Sequence, residues 1–171
     1  MDSIKAKLSG WKAKNLSLAG RITLANSVLQ AIPIYHMLTA KFPLLTCQEI
    51  DKIVRDFVWS STENGRHMHL VRWDEVCKAK CQGGLRLRKA EDVNKILLMK
   101  LGWRFLSNPS ALWVRLLKAK YSCKDGSPNH LQPRLGCSNT WRGLCSIWDL
   151  VMQGTSWQIG DGQMINFWKD N

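Results

Sequence analysis

Residues 69–88, HLVRWDEVCKAKCQGGLRLR, decide how the rest of the chain is interpreted. They predict a short apolar strand, one helical turn, a hinge at Gly83-Gly84 and a second, basic strand. Seven cations between Arg66 and Lys89 are opposed by only two acidic residues. Since glycine lets the backbone approach phosphate closely and Lys and Arg release its counterions, the stretch suits contact with a polyanion. A solvated basic loop explains the composition equally well.

The composition indicates a globular intracellular protein. The chain has 171 residues, 45% of them hydrophobic, which is enough to bury a core. No apolar run approaches the roughly 18 residues of a membrane span, and the first thirty residues lack a secretory signal pattern. We therefore expect no membrane partner and a location in the nucleus or cytoplasm. A net charge of +12 favours an acidic partner, most commonly nucleic acid, although basic proteins often need none.

Hydrophobic periodicity predicts a mainly α fold. Ser17 is a plausible N-cap of a helix whose apolar face reaches Ile32 and which Pro33 ends or kinks. Arg21 and Gln30 lie off this face and could face a ligand. Thr46 is expected to cap a second helix that runs to Trp59, and a short loop would make the two antiparallel.

Further helices are predicted after the basic stretch. Residues 90–107 form the strongest pattern, apolar most of the way round and ended by Asn108-Pro109. A shorter helix follows Ser110, and another starts at Asn139 or Thr140. Its apolar residues, and those of the helix after Ser110, are expected to point inward: Leu112, Trp113, Leu116, Leu117, Trp141, Leu144, Cys145, Trp148 and Met152.

Three segments and a minority of β structure complete the predicted architecture. The segments are a helical piece at 1–59, a basic connection with helices at 60–121, and a linker, helix and hairpin at 122–171. A short β element is expected near 69–88 and a hairpin near 157–168, turning at Asp161-Gly162. The nine tryptophans are spread along the chain, so we expect structural wedges more than one aromatic binding cage.

The sequence contains no recognisable active site. No phosphate-binding loop or nucleophile elbow is present, and the thirteen acidic residues are dispersed. His67, His69, Cys77 and Cys81 are residue types that bind zinc, but their spacing fits no compact zinc site, which favours buried thiols and a surface imidazole. We expect no catalytic residue, metal or cofactor in this chain.

Six blocks of sequence, in this order, resemble the reverse transcriptase polyprotein of plant LINE-type, non-LTR retrotransposons. They are WKAKNLSLAGRITLANSVLQAIPIY, IDKIVRDFVW, HLVRWDEVCKAKCQGGLRLR, LLMKLGWRFL, LWVRLLKAKY and WQIGDGQMINFW. The resemblance covers almost the whole chain. It places this portion after the polymerase palm and before a zinc-binding domain and a ribonuclease H domain.

The resemblance implies a thumb-like helical bundle at 16–59, which in such polymerases grips the template–primer backbone, and a connection formed by the helices around Trp103 and Trp113. The family activity is RNA-directed DNA synthesis. The palm's paired catalytic aspartates, the zinc ligands and the ribonuclease H carboxylates are not in this chain. The expected partners are the backbone of RNA or an RNA–DNA duplex and the missing palm.

Two departures from the family pattern bear on function. Ala79-Lys80 stands where the family usually has Pro-Lys, and Arg86 replaces a glycine of the usual GGLG. If that glycine adopts a positive φ, Arg86 is strained, which would indicate a decaying copy. The chain also stops one residue before a tryptophan usual in the family, which favours a truncated gene model or relic.

Three hypotheses follow. The first is a non-catalytic fragment that binds the nucleic-acid backbone through nine cations: Lys12, Lys14, Arg21, Arg66, Arg72, Lys78, Lys80, Arg86 and Arg88. The second is an inert retroelement relic that folds poorly. The third is a small adaptor that binds another protein through an apolar face, which would include Ile34, Tyr35, Met37 and Leu38.

Overall fold

The computed structural model describes residues 16–59, 69–121 and 131–156. These residues form helices and turns without a strand, which confirms the mainly α fold class. None of the helices in these ranges is long and apolar enough to cross a membrane. In chain order they are α1 (Leu18–Leu24), α2 (Ile34–Met37), α3 (Leu44–Val58), α4 (Trp73–Val76), α5 (Ala90–Ser107), α6 (Leu112–Tyr121) and α7 (Asn139–Gln153).

The chain divides into two compact units. The first unit comprises Met1–Met37 and Phe42–Asn94, and the second comprises Leu38–Lys41 and Lys95–Asn171. Helix α5 therefore begins in the first unit and continues into the second. The predicted division at residues 59 and 121 stays a prediction.

Helix α1 begins where the sequence predicts and ends in an unusual way. The hydroxyl oxygen of Ser17 accepts a hydrogen bond from the amide of Gly20 at 3.2 Å, which confirms the predicted N-cap. A π-helical segment, Ala25–Leu29, then continues the helix, and the amide of Gln30 donates to the carbonyl of Ala25 at 3.0 Å. This bond spans one residue more than an α-helical bond, so the segment shifts the phase of every following side chain.

Helix α3 starts earlier than expected. It begins at Leu44, directly after Pro43, so the prediction that Thr46 caps it is wrong. Proline has a fixed φ and no amide hydrogen, which suits it to a helix entrance. The helix buries Ile50, Val54, Phe57 and Val58, as its periodicity predicts, and it contacts both α1 and the π-helical segment.

The short β element predicted near 69–88 is absent from the described residues. The amide of Cys77 bonds to the carbonyl of Trp73 at 3.0 Å, and the one-turn helix α4 carries two acidic residues in its first turn, where they suit the helix dipole. A 3₁₀ turn, Lys80–Gln82, follows. Residues 84–89 have neither helical nor strand structure, and the amides of Leu85 and Arg86 bond to the carbonyls of Val76 and Lys78, in and just after α4. The hairpin predicted near 157–168 lies outside the described residues.

The second unit has an aromatic core. Trp141 and Trp148 are almost fully buried, with the Phe105 ring 5.9 Å from that of Trp148 and perpendicular to it. The rings of Tyr121 and Trp141 stack at 4.2 Å. The indole nitrogen of Trp141 donates to the carbonyl of Gln132 at 3.2 Å, so its polar atom is satisfied. These two tryptophans are structural wedges, as expected.

Helices α5 and α6 also show where periodicity misleads. The predicted span 90–107 of α5 is confirmed, but Trp103 is 54% exposed. On α6, Val114 is buried, whereas Leu112 and Leu116, which were expected to point inward, are exposed. Nearly every side of these helices carries an apolar residue, so spacing alone does not identify the buried side.

Asn94 is the buried polar residue of the described ranges, with 4% of its surface exposed. Its side-chain nitrogen donates to the carbonyl of Met37 at 3.0 Å, and its side-chain oxygen accepts from the amide of Phe42 at 2.9 Å. One amide thus binds the end of α2 and the entrance of α3 to helix α5. Because buried polar groups must be paired, this arrangement permits little change.

We expect Asn94→Leu to lower the free energy of unfolding by about 2–6 kcal/mol, since two backbone groups lose their partner at roughly 1–3 kcal/mol each. Urea unfolding followed by circular dichroism measures the change. Asn108→Leu is the matched control, because Asn108 is exposed just beyond α5. Equal stability of the two variants would contradict this role for Asn94.

Candidate functional site

The turn between α4 and α5 requires glycine at two successive positions. Gly83 has a φ of 81°, which side chains rarely adopt. A Cβ atom added to Gly84 would lie 2.0 Å from the carbonyl oxygen of Lys78, closer than any real contact. The glycine pair therefore lets the chain reverse directly against the backbone after α4.

Four hydrogen bonds hold residues 85–90, the segment that follows. The amide of Leu85 donates to the carbonyl of Val76 at 2.9 Å, and the amide of Arg86 donates to that of Lys78 at 3.1 Å. The side chain of Gln30 donates to the carbonyl of Arg88 at 3.0 Å. At the start of α5, the carboxylate of Asp51 accepts from the amide of Ala90 at 2.9 Å, although burial raises the pKa of Asp51. The segment is therefore attached at both ends.

Arg86 adopts the left-handed backbone conformation, with a φ of 58°. The condition stated for strain at this position, a positive φ, is therefore met. A side chain in this conformation costs roughly 1–2 kcal/mol relative to glycine. Such strain persists only where the surrounding structure imposes it, and the hydrogen bonds on either side of Arg86 provide that constraint.

Three of the predicted cations lie around one cavity of about 470 Å³ within the first unit. Lys80, Arg86 and Arg88 line it from the glycine turn and the segment after it, and Asn26 and Gln30 line it from the π-helical segment and its end. We call this the basic cavity. Apolar side chains complete its lining, among them Ile22, Ile34, Leu85 and Val93.

Two other predicted cations are engaged in local ion pairs. The Lys78 ammonium lies 2.7 Å from the carboxylate of Glu75, and the Arg72 guanidinium lies 3.9 Å from that of Asp74. Asp74 also binds Lys89 at 2.6 Å. The hydrogen bond from Lys89 lowers the pKa of Asp74, and the same bond raises the pKa of Lys89. The acidic residues of α4 thus offset part of the positive charge.

One further predicted cation, Arg21, lies within the described residues and does not line the basic cavity. Arg21 is half-buried on α1, and its Nε and Nη1 atoms have no hydrogen-bond partner among the described residues. Lys12, Lys14 and Arg66 lie outside the described residues. The structure therefore brings together three of the nine predicted cations, and the assignment of all nine as binding residues stays a prediction.

Asn26 and Gln30 reach the cavity from the π-helical continuation of α1 and from the residue just after it. Gln30 stands out in the sequence as a polar residue off the apolar face, and it contacts Arg88. Asn26 gives no such signal, because an α-helical period does not anticipate the π-helical segment that carries it. A π-helical turn is itself frequent at functional sites, but it can be seen only in the structure.

Of the four residues with zinc-binding side chains, the three that the structure describes, His69, Cys77 and Cys81, do not form a metal-ligand cluster. No group of three His, Cys, Asp or Glu side chains suited to a metal occurs among the described residues. His69 lies 3.6 Å from the carboxylate of Asp56, and burial raises the pKa of the Cys77 thiol to about 11. Cys81 is exposed, and His67 lies outside the described residues.

The residues of the apolar face predicted for an adaptor differ in their exposure. Tyr35 is 78% exposed, whereas Met37 is 1% exposed and belongs to the core. Ile34 is half-buried and lines the basic cavity. Two of the side chains named for such a face therefore have other roles.

The fold and the cavity define a basic, helical protein with a candidate anion-binding site and, among the described residues, no recognisable catalytic cluster. The chain is 32% identical over 148 residues to the "Uncharacterized mitochondrial protein AtMg00310" of Arabidopsis thaliana, which corresponds to 82% of this chain and 91% of that protein. The chain belongs to the same family as that plant protein.

A second comparison concerns a longer protein. The chain is 38% identical over 172 residues to the "Putative ribonuclease H protein At1g65750" of Arabidopsis thaliana, a match that covers 99% of this chain but 28% of that protein. The chain thus spans little more than a quarter of this relative. No family model matches the sequence, and no solved structure matches it.

Replacing Arg86 by glycine tests the backbone strain. We expect Arg86→Gly to raise the free energy of unfolding by about 1 kcal/mol, because glycine adopts the left-handed conformation without a Cβ clash. Arg88→Gly, at a position in the same segment without a positive φ, is the control and should be destabilising. Chemical denaturation measures both. A loss of stability in both variants would refute the strain.

The ion pair between Asp74 and Lys89 predicts a pH dependence. Because the folded-state pKa of Asp74 is lowered, the pair contributes stability above the unfolded value of about 4, and this contribution is lost as pH falls through the folded pKa. Asp74→Asn should therefore be less stable than the wild type at neutral pH and equally stable in acid. Urea unfolding across this range measures the difference. Lys89→Met is the control, since it should remove the same contribution; a difference that persists in acid would contradict the assignment.

Proposed function

We propose that this chain is a non-catalytic, nucleic-acid-contacting segment of a plant retroelement reverse transcriptase polyprotein. Six ordered sequence blocks support the assignment to a LINE-type element. The longer relative is named a ribonuclease H protein. That name agrees with the domain order that the resemblance implies, in which a ribonuclease H domain follows this portion. On this proposal, an upstream palm supplies the chemistry of RNA-directed DNA synthesis.

The observation that carries the proposal is the basic cavity. None of its three cations, Lys80, Arg86 and Arg88, forms an ion pair with another described residue within 4.0 Å. Unpaired cations are the ones that exchange small counterions for phosphate. Because the three cations cluster beside a backbone reversal, the site suits the successive phosphates of a polynucleotide better than one isolated anion.

The proposed partner is the backbone of RNA or of an RNA–DNA duplex, and the proposed location is the nucleus or cytoplasm. In this arrangement the segment positions the polynucleotide and makes no covalent change to it. Phosphate contacts of this kind fix register without reading sequence. Sequence selection would then belong to other parts of the polyprotein.

One observation favours a second candidate, an inert relic. The left-handed backbone at Arg86 is the arrangement expected if a glycine had been lost by drift. The two candidates differ in what Arg86 does for binding. In a functional segment Arg86→Gly weakens nucleic-acid binding while it relieves strain. In a relic the same change only raises stability.

Salt dependence tests the proposed function. We expect the triple variant Lys80→Gln, Arg86→Gln, Arg88→Gln to bind duplex more weakly and to reduce the slope of log K against log salt by about 2.7, since each phosphate contact contributes about 0.9. Fluorescence anisotropy over a range of salt concentrations gives the slope.

The control for this experiment removes the same charge elsewhere. Lys52, Lys100 and Arg115 are exposed on α3, α5 and α6, so the triple glutamine variant at these positions has the same net charge. We expect it to keep most of the wild-type slope. Equal losses in the two triple variants would show that net charge, not the basic cavity, attracts the polyanion, and a flat wild-type slope would refute the proposed function.

A further inference from the structure

The basic cavity has more than cations in its lining. Ile22, Ile34, Leu85 and Val93 contribute apolar surface, whereas a site for phosphate alone would need only charge and hydrogen-bond donors. Its volume of about 470 Å³ lies within the range of roughly 300–1,000 Å³ that is usual for small-molecule sites. The expected ligand therefore combines an anion with an apolar body.

The polar side chains of the cavity indicate that the ligand also carries hydrogen-bonding groups, in addition to its anion and its apolar body. Asn26 lines the cavity without a hydrogen bond to any other described side chain, so its amide offers both a donor and an acceptor. Gln30 donates its side-chain nitrogen to the carbonyl of Arg88, which leaves its side-chain oxygen as an acceptor. A flat ring with hydrogen-bonding edges satisfies such groups, and a fatty chain does not.

We propose that the basic cavity holds one nucleotide of a single-stranded RNA or DNA. The phosphate lies against Arg86 and Arg88, the base lies among the apolar side chains, and Asn26 contacts the edge of the base. This inference rests on the proposed nucleic-acid contact and names the ligand of that site. A base within a duplex is stacked and paired, so only an unpaired base enters without the cost of extrusion.

A substitution at Ala31 can fill the cavity without changing its charge. Ala31 lines the cavity and is exposed, so Ala31→Phe places a ring in the space proposed for the base. All three cavity cations are retained. Ala119→Phe, at an exposed alanine of α6, is the matched control.

The test compares oligothymidylate, oligouridylate and an oligoadenylate–oligothymidylate duplex by fluorescence anisotropy at one salt concentration. Ala31→Phe should weaken binding of the single strands about tenfold, the value of one bound base, and change duplex binding little. Ala119→Phe should leave all three unchanged. Equal weakening of single strand and duplex, or no weakening of either, would overturn the inference.

A second variant and a ligand competition test the inference even if Ala31→Phe fails to fold. Asn26→Leu removes the proposed edge contact at an exposed position and should also weaken only single strands. Thymidine monophosphate should displace labelled oligothymidylate at lower concentration than inorganic phosphate at matched ionic strength. Equal displacement by the two would reduce the cavity to a simple anion site. In that case the salt slope of the cation variants would still support the proposed function.

Discussion

The close approach of Gly84 to the carbonyl of Lys78 is the constraint on which the basic cavity depends. A backbone that passes this close admits no side chain, and it places the amides of Leu85 and Arg86 within reach of the carbonyls of Val76 and Lys78. The direction of the segment through Arg88 follows from these bonds. The cavity is thus built from backbone geometry before any cation contributes to it.

The cations of this region fall into two groups according to their partners. Lys78 and Lys89 bind the carboxylates of α4, where exposed pairs contribute little to stability but hold charge in place. The cavity cations lack such partners among the described residues and remain available to an outside anion. Because Asp74 and Glu75 pair with Arg72, Lys78 and Lys89, the cations without a described ion pair in this region include the three that line the basic cavity.

The sequence predicts the elements whose signals are local. The N-cap at Ser17, the span of α5 and the hinge at the glycine pair depend on a few neighbouring residues, and all are found. The prediction of strands near 69–88 was wrong, because alternating apolar and basic residues do not reveal that Leu85 bonds to a helical turn. Asn26 could not be predicted, since the π-helical segment changes the phase that sequence periodicity assumes.

The residues around Arg86 determine how its strained backbone conformation is interpreted. A substitution that arises by drift at a left-handed position is tolerated most easily as asparagine or aspartate, whose side chains suit that conformation. Arginine in this conformation costs roughly 1–2 kcal/mol, and Arg86 is exposed, so burial of its side chain does not offset that cost. Here it lines a cavity beside Lys80 and Arg88, which is where a strained conformation can position a charge that an ordinary one would not. On the proposed function, the location of the strain beside two other cavity cations, more than its size, is what gives the arginine a role in binding.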